Sequence, residues 1–219
     1  VFAEYDRSEQ LAANDFHRDA SALSANLHIV WRELDSVLLP TRGWSLSLQG
    51  GAGQARSPDA PSGPFARLYA RATGYWTMGG PAGQRWYGQA RVEMGQIVKR
   101  DAVRVPDTLA FRAGGDESVR GYAWRSLAPT VSGITVAAPV VATASLELAR
   151  PISARLPSVW GAAFIDAGRA VDRWADYKPA LGYGVGIRWR SPVGPLKLDW
   201  AWGEEVKKGR LHMSVGIAF

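Results

Sequence analysis

The sequence predicts an all-β protein, an antiparallel transmembrane β-barrel of which roughly ten strands are visible. Three observations carry this. Side chains alternate between apolar and polar with a period of two along most of the chain. No stretch approaches the roughly 20 apolar residues of a spanning helix; the most apolar one, 134–144, is broken by Thr135 and Pro139. Short and long connections alternate, the rhythm of an outer-membrane barrel with tight turns on one rim and long loops on the other. The 24 Gly, 13 Pro and 10 Trp among 219 residues suit strands and turns, and a hydrophobic fraction of 47% argues against disorder.

The elements follow in order. A partial strand occupies residues 1–7. Leu27, Ile29 and Trp31 then oppose Asn26, His28 and Arg32. Trp44, Leu46 and Leu48 oppose Ser45, Ser47 and Gln49. Leu68, Ala70, Ala72 and Trp76 oppose Arg67, Tyr69, Arg71, Thr73 and Tyr75. Gly88, Ala90, Val92 and Met94 oppose Tyr87, Gln89, Arg91, Glu93 and Gln96. Ala144, Leu146 and Leu148 oppose Ser145, Glu147 and Ala149; Val159, Ala163 and Ile165 oppose Trp160, Ala162, Phe164 and Asp166. Leu181, Tyr183, Val185, Ile187 and Trp189 alternate with Gly182, Gly184, Gly186, Arg188 and Arg190. Leu196, Leu198, Trp200 and Trp202 alternate with Lys197, Asp199 and Ala201. The last segment sets Leu211, Met213, Val215, Ile217 and Phe219 against His212, Ser214, Gly216 and Ala218. Most of these strands are about ten residues long, the length of a tilted membrane strand. The connections at 8–24, 52–64, 99–139 and 169–179 are long, 34–43 and 203–209 are intermediate, and 79–83, 151–157 and 191–194 are short.

A soluble sandwich or lipocalin-like barrel also alternates, core against solvent. Two features disfavour it. The polar face carries charged or bulky polar groups in almost every strand, and the apolar face often ends in Trp, at Trp31, Trp44, Trp76, Trp189 and Trp202, as a headgroup-level belt would. The net charge of +6 is spread as single residues, so nucleic acid is not expected as a partner. With no Cys there is no disulfide, thiolate metal site or Cys nucleophile. His17, His28 and His212 are scattered, so no metal is expected. Gly182-x-Gly-x-Gly186 lies inside a strand and is no dinucleotide fingerprint; its glycines are small inward positions. No Gly-x-Ser-x-Gly elbow occurs. The reading is non-enzymatic, without a cofactor. Val1 is not Met and no signal peptide follows, so the chain is read as mature protein or a fragment.

The loop 99–139 is far longer than a connection requires, which marks it as functional. It is read as extracellular and folding back into the lumen. Gly114, Gly115 and Gly121 permit backbone angles closed to other residues, and Val119, Tyr122 and Trp124 are candidates to pack. Arg120, once buried, needs carboxylates. Parity places two of them inward on the next two strands, Glu147 and Asp166. A planar guanidinium can bridge both.

The stretch Gly114-Gly115-Asp116-Glu117-Ser118-Val119-Arg120-Gly121-Tyr122 resembles the signature loop of the BamA/TamA superfamily of outer-membrane protein assembly factors, which includes two-partner secretion transporters. Phe164-Ile165-Asp166-Ala167-Gly168 resembles the superfamily's next-strand motif, and Ser145-Leu146-Glu147 its acidic position on the strand between. The ending from Gly194 to Phe219 resembles its final hairpin. The flanks Phe111-x-Ala-Gly-Gly and Arg125-Ser-Leu-Ala-Pro129 resemble the TamA branch, the translocation and assembly module.

The resemblance implies a roughly sixteen-stranded barrel, of which residues 1–219 would be the C-terminal portion, without early strands or POTRA repeats. It implies a lateral gate and C-terminal sorting signal at Leu211, Met213, Val215, Ile217 and Phe219. Clients would be unfolded outer-membrane or autotransporter proteins, handled within outer-membrane lipid, with a periplasm-spanning partner such as TamB. The other function class is a two-partner-type secretion pore or passive channel.

Overall fold

A computed structural model describes residues 1–11, 17–81, 85–153, 155–191 and 194–216. Ten strands form one antiparallel sheet. They are β1 (Phe2–Leu11), β2 (His17–Leu34), β3 (Gly43–Ser57), β4 (Ala60–Met78), β5 (Trp86–Lys99), β8 (Val140–Ser153), β9 (Leu156–Val171), β10 (Ala180–Ser191), β11 (Gly194–Gly203) and β12 (Lys208–Val215). Each pairs with its neighbours in sequence. The one interruption is the loop between β5 and β8, which holds a small hairpin of β6 (Thr130–Val131) and β7 (Ile134–Thr135). Strands β1 and β12 stand at the two edges.

Alternation turns the usual order of a protein inside out. Leu68, Val185, Leu211 and Met213 are between 59% and 71% exposed, whereas Glu147, Asp166, Arg188 and Asp199 are at most 9% exposed. Outward apolar side chains continue over all the strands of the sheet, including Tyr5, Leu27, Leu48, Val92, Leu146 and Ile165. An apolar surface this broad is untenable in water and natural against lipid. Trp31, Trp44, Trp76, Trp86 and Trp189 all lie toward the rim that carries the β2–β3, β4–β5 and β10–β11 connections. They form an interfacial belt there; Trp202 lies toward the opposite rim.

The strands are longer than expected. β2 has 18 residues and β4 has 19. Residues 8–11 and 17–24 are strand rather than loop: Ser8 pairs with Ala20 and Leu11 with His17. Segment 52–64 is mostly strand as well, with Ser57 paired to Ala60. These extensions carry small or apolar inward residues (Ala20, Ala22, Ala55, Phe65), and the loop packs on several of them. The rhythm of the rims is accordingly weaker than expected, because 35–42 is a longer connection than 58–59 on the other side.

The apolar core lies on the concave side of the wall, between wall and loop. Val103, Val105, Leu109, Phe111, Val119, Tyr122 and Leu127 of the loop pack on Ala22, Ala55, Phe65, Ile97, Val141 and Ala180 of the strands. Two bridges, Phe111 with Ala138 and Ala113 with Leu127, fold the loop on itself. Trp124 does not join this core. It is 69% exposed, stacked beneath Arg125 at 4.1 Å.

Candidate functional site

The tip of the loop is built by its glycines. Gly114, Gly115 and Gly121 adopt φ of +105°, +104° and +93°, angles that favour glycine. The Ser118 hydroxyl accepts the Gly114 N–H at 2.7 Å, and Gly115 donates to the Val119 carbonyl at 3.1 Å. This turn buries Val119 completely and aims Arg120 at the wall. Tyr122 is 1% exposed; its hydroxyl donates to the Leu181 carbonyl at 2.9 Å and accepts the Glu205 N–H at 3.1 Å. Burial pushes the Tyr122 phenol up.

Arg120 grips Asp166 in a fork, Nε to Oδ2 at 2.7 Å and Nη2 to Oδ1 at 2.9 Å, and its backbone N–H adds a third bond to Oδ2 at 3.0 Å. Nη1 reaches Glu147 Oε2 at 2.9 Å and Asp199 Oδ2 at 3.1 Å. Ser145 donates to Asp166 Oδ1 at 2.7 Å. The guanidinium carbon lies 3.4 Å from the centroid of the Phe164 ring, a stacked cation. Arg188 completes the set. It is bidentate to Glu147, at 2.8 and 2.7 Å, and donates to Asp199 Oδ1 at 2.5 Å. Two buried guanidiniums thus share three buried carboxylates, and Lys197 lines the same polar cavity of about 50 Å³.

The geometry fixes the curvature of the wall. Glu147 is on β8 and Asp199 on β11, three strand spacings apart, which is about 14 Å in a flat sheet. One nitrogen of Arg120 bonds both, so the sheet bends around it. Glycine makes room for the loop. A Cβ on Gly182 of β10 would fall on the Arg120 carbonyl oxygen, and one on Gly121 would lie 2.7 Å from the Gly203 nitrogen of β11. Gly168 of β9 has φ +158°, and a Cβ there would meet the Ala142 carbonyl at 2.7 Å.

An Omp85 superfamily domain model matches residues 3–219. The chain belongs to the Omp85 superfamily. Its apolar outer face is that of an Omp85 outer-membrane wall. The chain is 34% identical over 119 residues to outer envelope protein 80, chloroplastic, of Arabidopsis thaliana, covering 49% of this chain and 15% of that protein. A crystal structure of BamA from Haemophilus ducreyi lacking POTRA domains 1–3 superposes with a TM-score of 0.66 at 20% identity. That match covers 92% of this chain and 42% of the BamA chain. The Omp85 chain therefore spans less than half the length of each of these proteins.

The structure brings together Arg120, Glu147 and Asp166, with Phe164 beneath the guanidinium and the loop residues Gly114, Gly115, Ser118, Val119, Gly121 and Tyr122 shaping its approach. Leu211, Met213 and Val215 stand elsewhere, exposed on the outer face of the edge strand of this Omp85 wall. Ile217 and Phe219 lie outside the described residues. Gln96 faces outward, where it accepts the Trp174 indole N–H at 3.0 Å. Sequence reasoning missed Arg188, Asp199 and His212 as members of the cluster. The signal was available: all three sit on the inward parity of their strands. The pairing of Ser191 with Gly194 also sets Arg188 opposite Lys197, and Asp199 pairs with His212. Among the described residues no group of His, Asp and Glu is arranged to hold a metal ion.

Proposed function

We propose that this chain is the C-terminal part of a non-enzymatic factor that inserts or translocates outer-membrane proteins. Its clients are unfolded outer-membrane or autotransporter polypeptides. The carrying observation is a division of labour at one end of the sheet. The loop tip at 120–122 is bonded to β8, β9, β10, β11 and β12, while β12 keeps its outer edge unpaired among the described residues. An unpaired edge exposes a row of N–H and C=O groups that templates an incoming strand, so β12 serves as one lip of a lateral gate. Arg120, with Glu147 and Asp166, is the lock that holds the loop inside the barrel and keeps the strands behind that lip in register. Supporting this reading are the superfamily membership and the BamA-like fold.

The test uses the absence of native Cys. A photo-activated cross-linker at Met213 or Val215, in native outer membranes, is expected to capture unfolded outer-membrane precursors during assembly. Capture of one dedicated exported protein alone would favour a two-partner-type secretion pore. No capture, with a cysteine in the loop freely labelled from outside the cell, would favour a passive channel. In parallel, Arg120→Cys with Asp166→Cys is expected to form a disulfide in the membrane.

A further inference from the structure

We infer that His212 is a positioning residue through which the loop holds the last strand, and that it does so only as the neutral imidazole. This rests on the reading of β12 as the edge where clients pair. The Gly121 N–H donates to His212 Nε2 at 2.9 Å. A backbone N–H cannot accept, so Nε2 must offer its lone pair and the ring proton must sit on Nδ1. Among the described residues this is the hydrogen bond that joins β12 to the loop. Along its other side β12 is held by its ladder to β11, from Gly203 paired with Lys208 to Leu196 paired with Val215.

The bond comes from the residue next to Arg120, so it connects the charge cluster to the edge strand in one covalent step. Gly121 also lies against the β11 backbone at Trp202 and Gly203. The loop tip therefore fits the corner between β11 and β12, and His212 closes it.

Protonation reverses the contact. An imidazolium carries N–H on both nitrogens, and Nε2–H would face the Gly121 N–H. The groups around the ring tell where it goes instead. The loop presents Asp116 and Arg120, β5 presents Arg91, β8 presents Glu147, β11 presents Lys197 and Asp199, and β12 itself presents Arg210. Asp199 pairs directly with His212 across the ladder. The charged ring is drawn to the Asp199 and Asp116 carboxylates and pushed off by the arginines, so it leaves Gly121. The last strand then keeps only its ladder to β11 and is free to swing away from the loop. Acid thus loosens the edge at its attachment to the loop.

The test is a distance measurement between spin labels at Glu117→Cys in the loop and Lys208→Cys on β12, in the protein in native outer membranes. In the parent protein the expected result is a single narrow distance distribution at pH 8 that is lost at pH 5. With His212→Gln, whose carbonyl accepts and does not titrate, the narrow distribution is expected at both pH values. With His212→Leu, which has no acceptor, it is expected at neither. A parent distribution unchanged between pH 8 and pH 5 would overturn the inference. So would loss of the narrow distribution at pH 5 in His212→Gln, which would place the titrating group elsewhere. Client assembly scored in the same membranes separates the two layers. If distances respond as expected and assembly is the same in all three proteins, the tie stands and the role of β12 as the client edge falls.

Discussion

Replacing Gly121 with alanine isolates the close approach on which the site depends. The added Cβ would lie 2.7 Å from the Gly203 nitrogen and the Trp202 carbonyl carbon, and ordinary contact begins at 3.4 Å. The tip must withdraw by the difference, about 0.7 Å. A shift of that size carries the 2.9 Å bond from Arg120 to Glu147 and the 2.9 Å bond to His212 beyond hydrogen-bonding distance. The cost has two parts. Alanine at φ +93° adds about 1–3 kcal/mol of backbone strain, and crowding the joint adds about 1–3 kcal/mol more. Gly133→Ala is the control. Its φ is +79° but its Cβ would meet nothing within 4 Å, so it carries strain alone. Thermal unfolding in detergent micelles, paired with limited proteolysis of the loop, reads both. Gly121→Ala should unfold at lower temperature than Gly133→Ala and expose the loop to protease. If the two variants melt together and cleave at the same rate, the close packing of loop on wall is not what holds Arg120 in place.

Other outcomes follow from the same geometry. Arg188→Ala leaves Glu147 and Asp199 buried without their second cation, and a loss of about 3–5 kcal/mol is expected. A double-mutant cycle with Glu147→Gln should give a coupling of about 1 kcal/mol or more, and additivity would refute the shared network. Among the connections, Asp35 is held down to about 2 by the Thr41 hydroxyl and N–H and the Arg42 N–H. A depressed carboxylate stabilises above its unfolded value and loses that contribution as pH falls from about 4 to about 2. Proteolysis of the 35–42 turn by an acid protease should therefore accelerate across that window, and Asp35→Asn should be cut at a rate independent of pH. Gly74→Ala places a methyl where nothing lies within 4 Å. It should stabilise β4 by about 0.5–1 kcal/mol, and a lower melting temperature would contradict an open site. Raising salt from low to physiological strength should leave loop protection unchanged, because Arg120 and Asp166 are shielded from solvent.

Much of the architecture was legible because a membrane strand writes its two environments alternately into the chain. Leu181 to Trp189 and Leu211 to Val215 are set out this way, and the outward face is exposed as read. Glu147 and Asp166 could be placed inward by counting alone. Strand ends were not legible. Beyond the lipid belt, as at residues 19–24, the outward face need not be apolar and the loop packs on the inward face at Ala22, so the two-residue contrast fades. Trp124 misled because an aromatic in a buried loop reads as core. The backbone at Arg125, with φ +58°, instead turns that segment outward. Asp199, Arg188 and His212 were visible as inward residues, but their convergence depends on how sharply the sheet curves, and no residue pattern states a curvature.

The two halves of this wall differ in stiffness. From β8 to β11 the strands are cross-braced by charged bonds through Arg120 and Arg188. From β1 to β5 the loop is tied by single hydrogen bonds to neutral groups, such as Arg67 to the Leu109 carbonyl and the Asp107 N–H to Ser8, and, among the described residues, by one long ion pair between Arg104 and Asp59. Such a wall bends under lateral load as an arch with its keystone off-centre. Deformation concentrates on the side of β1 to β5, while the braced side moves as one plate that ends at β11, with β12 laddered to its margin. A strand added at β12 would be held one ladder away from that plate, and the strain of accommodating it would be absorbed on the far side of the wall.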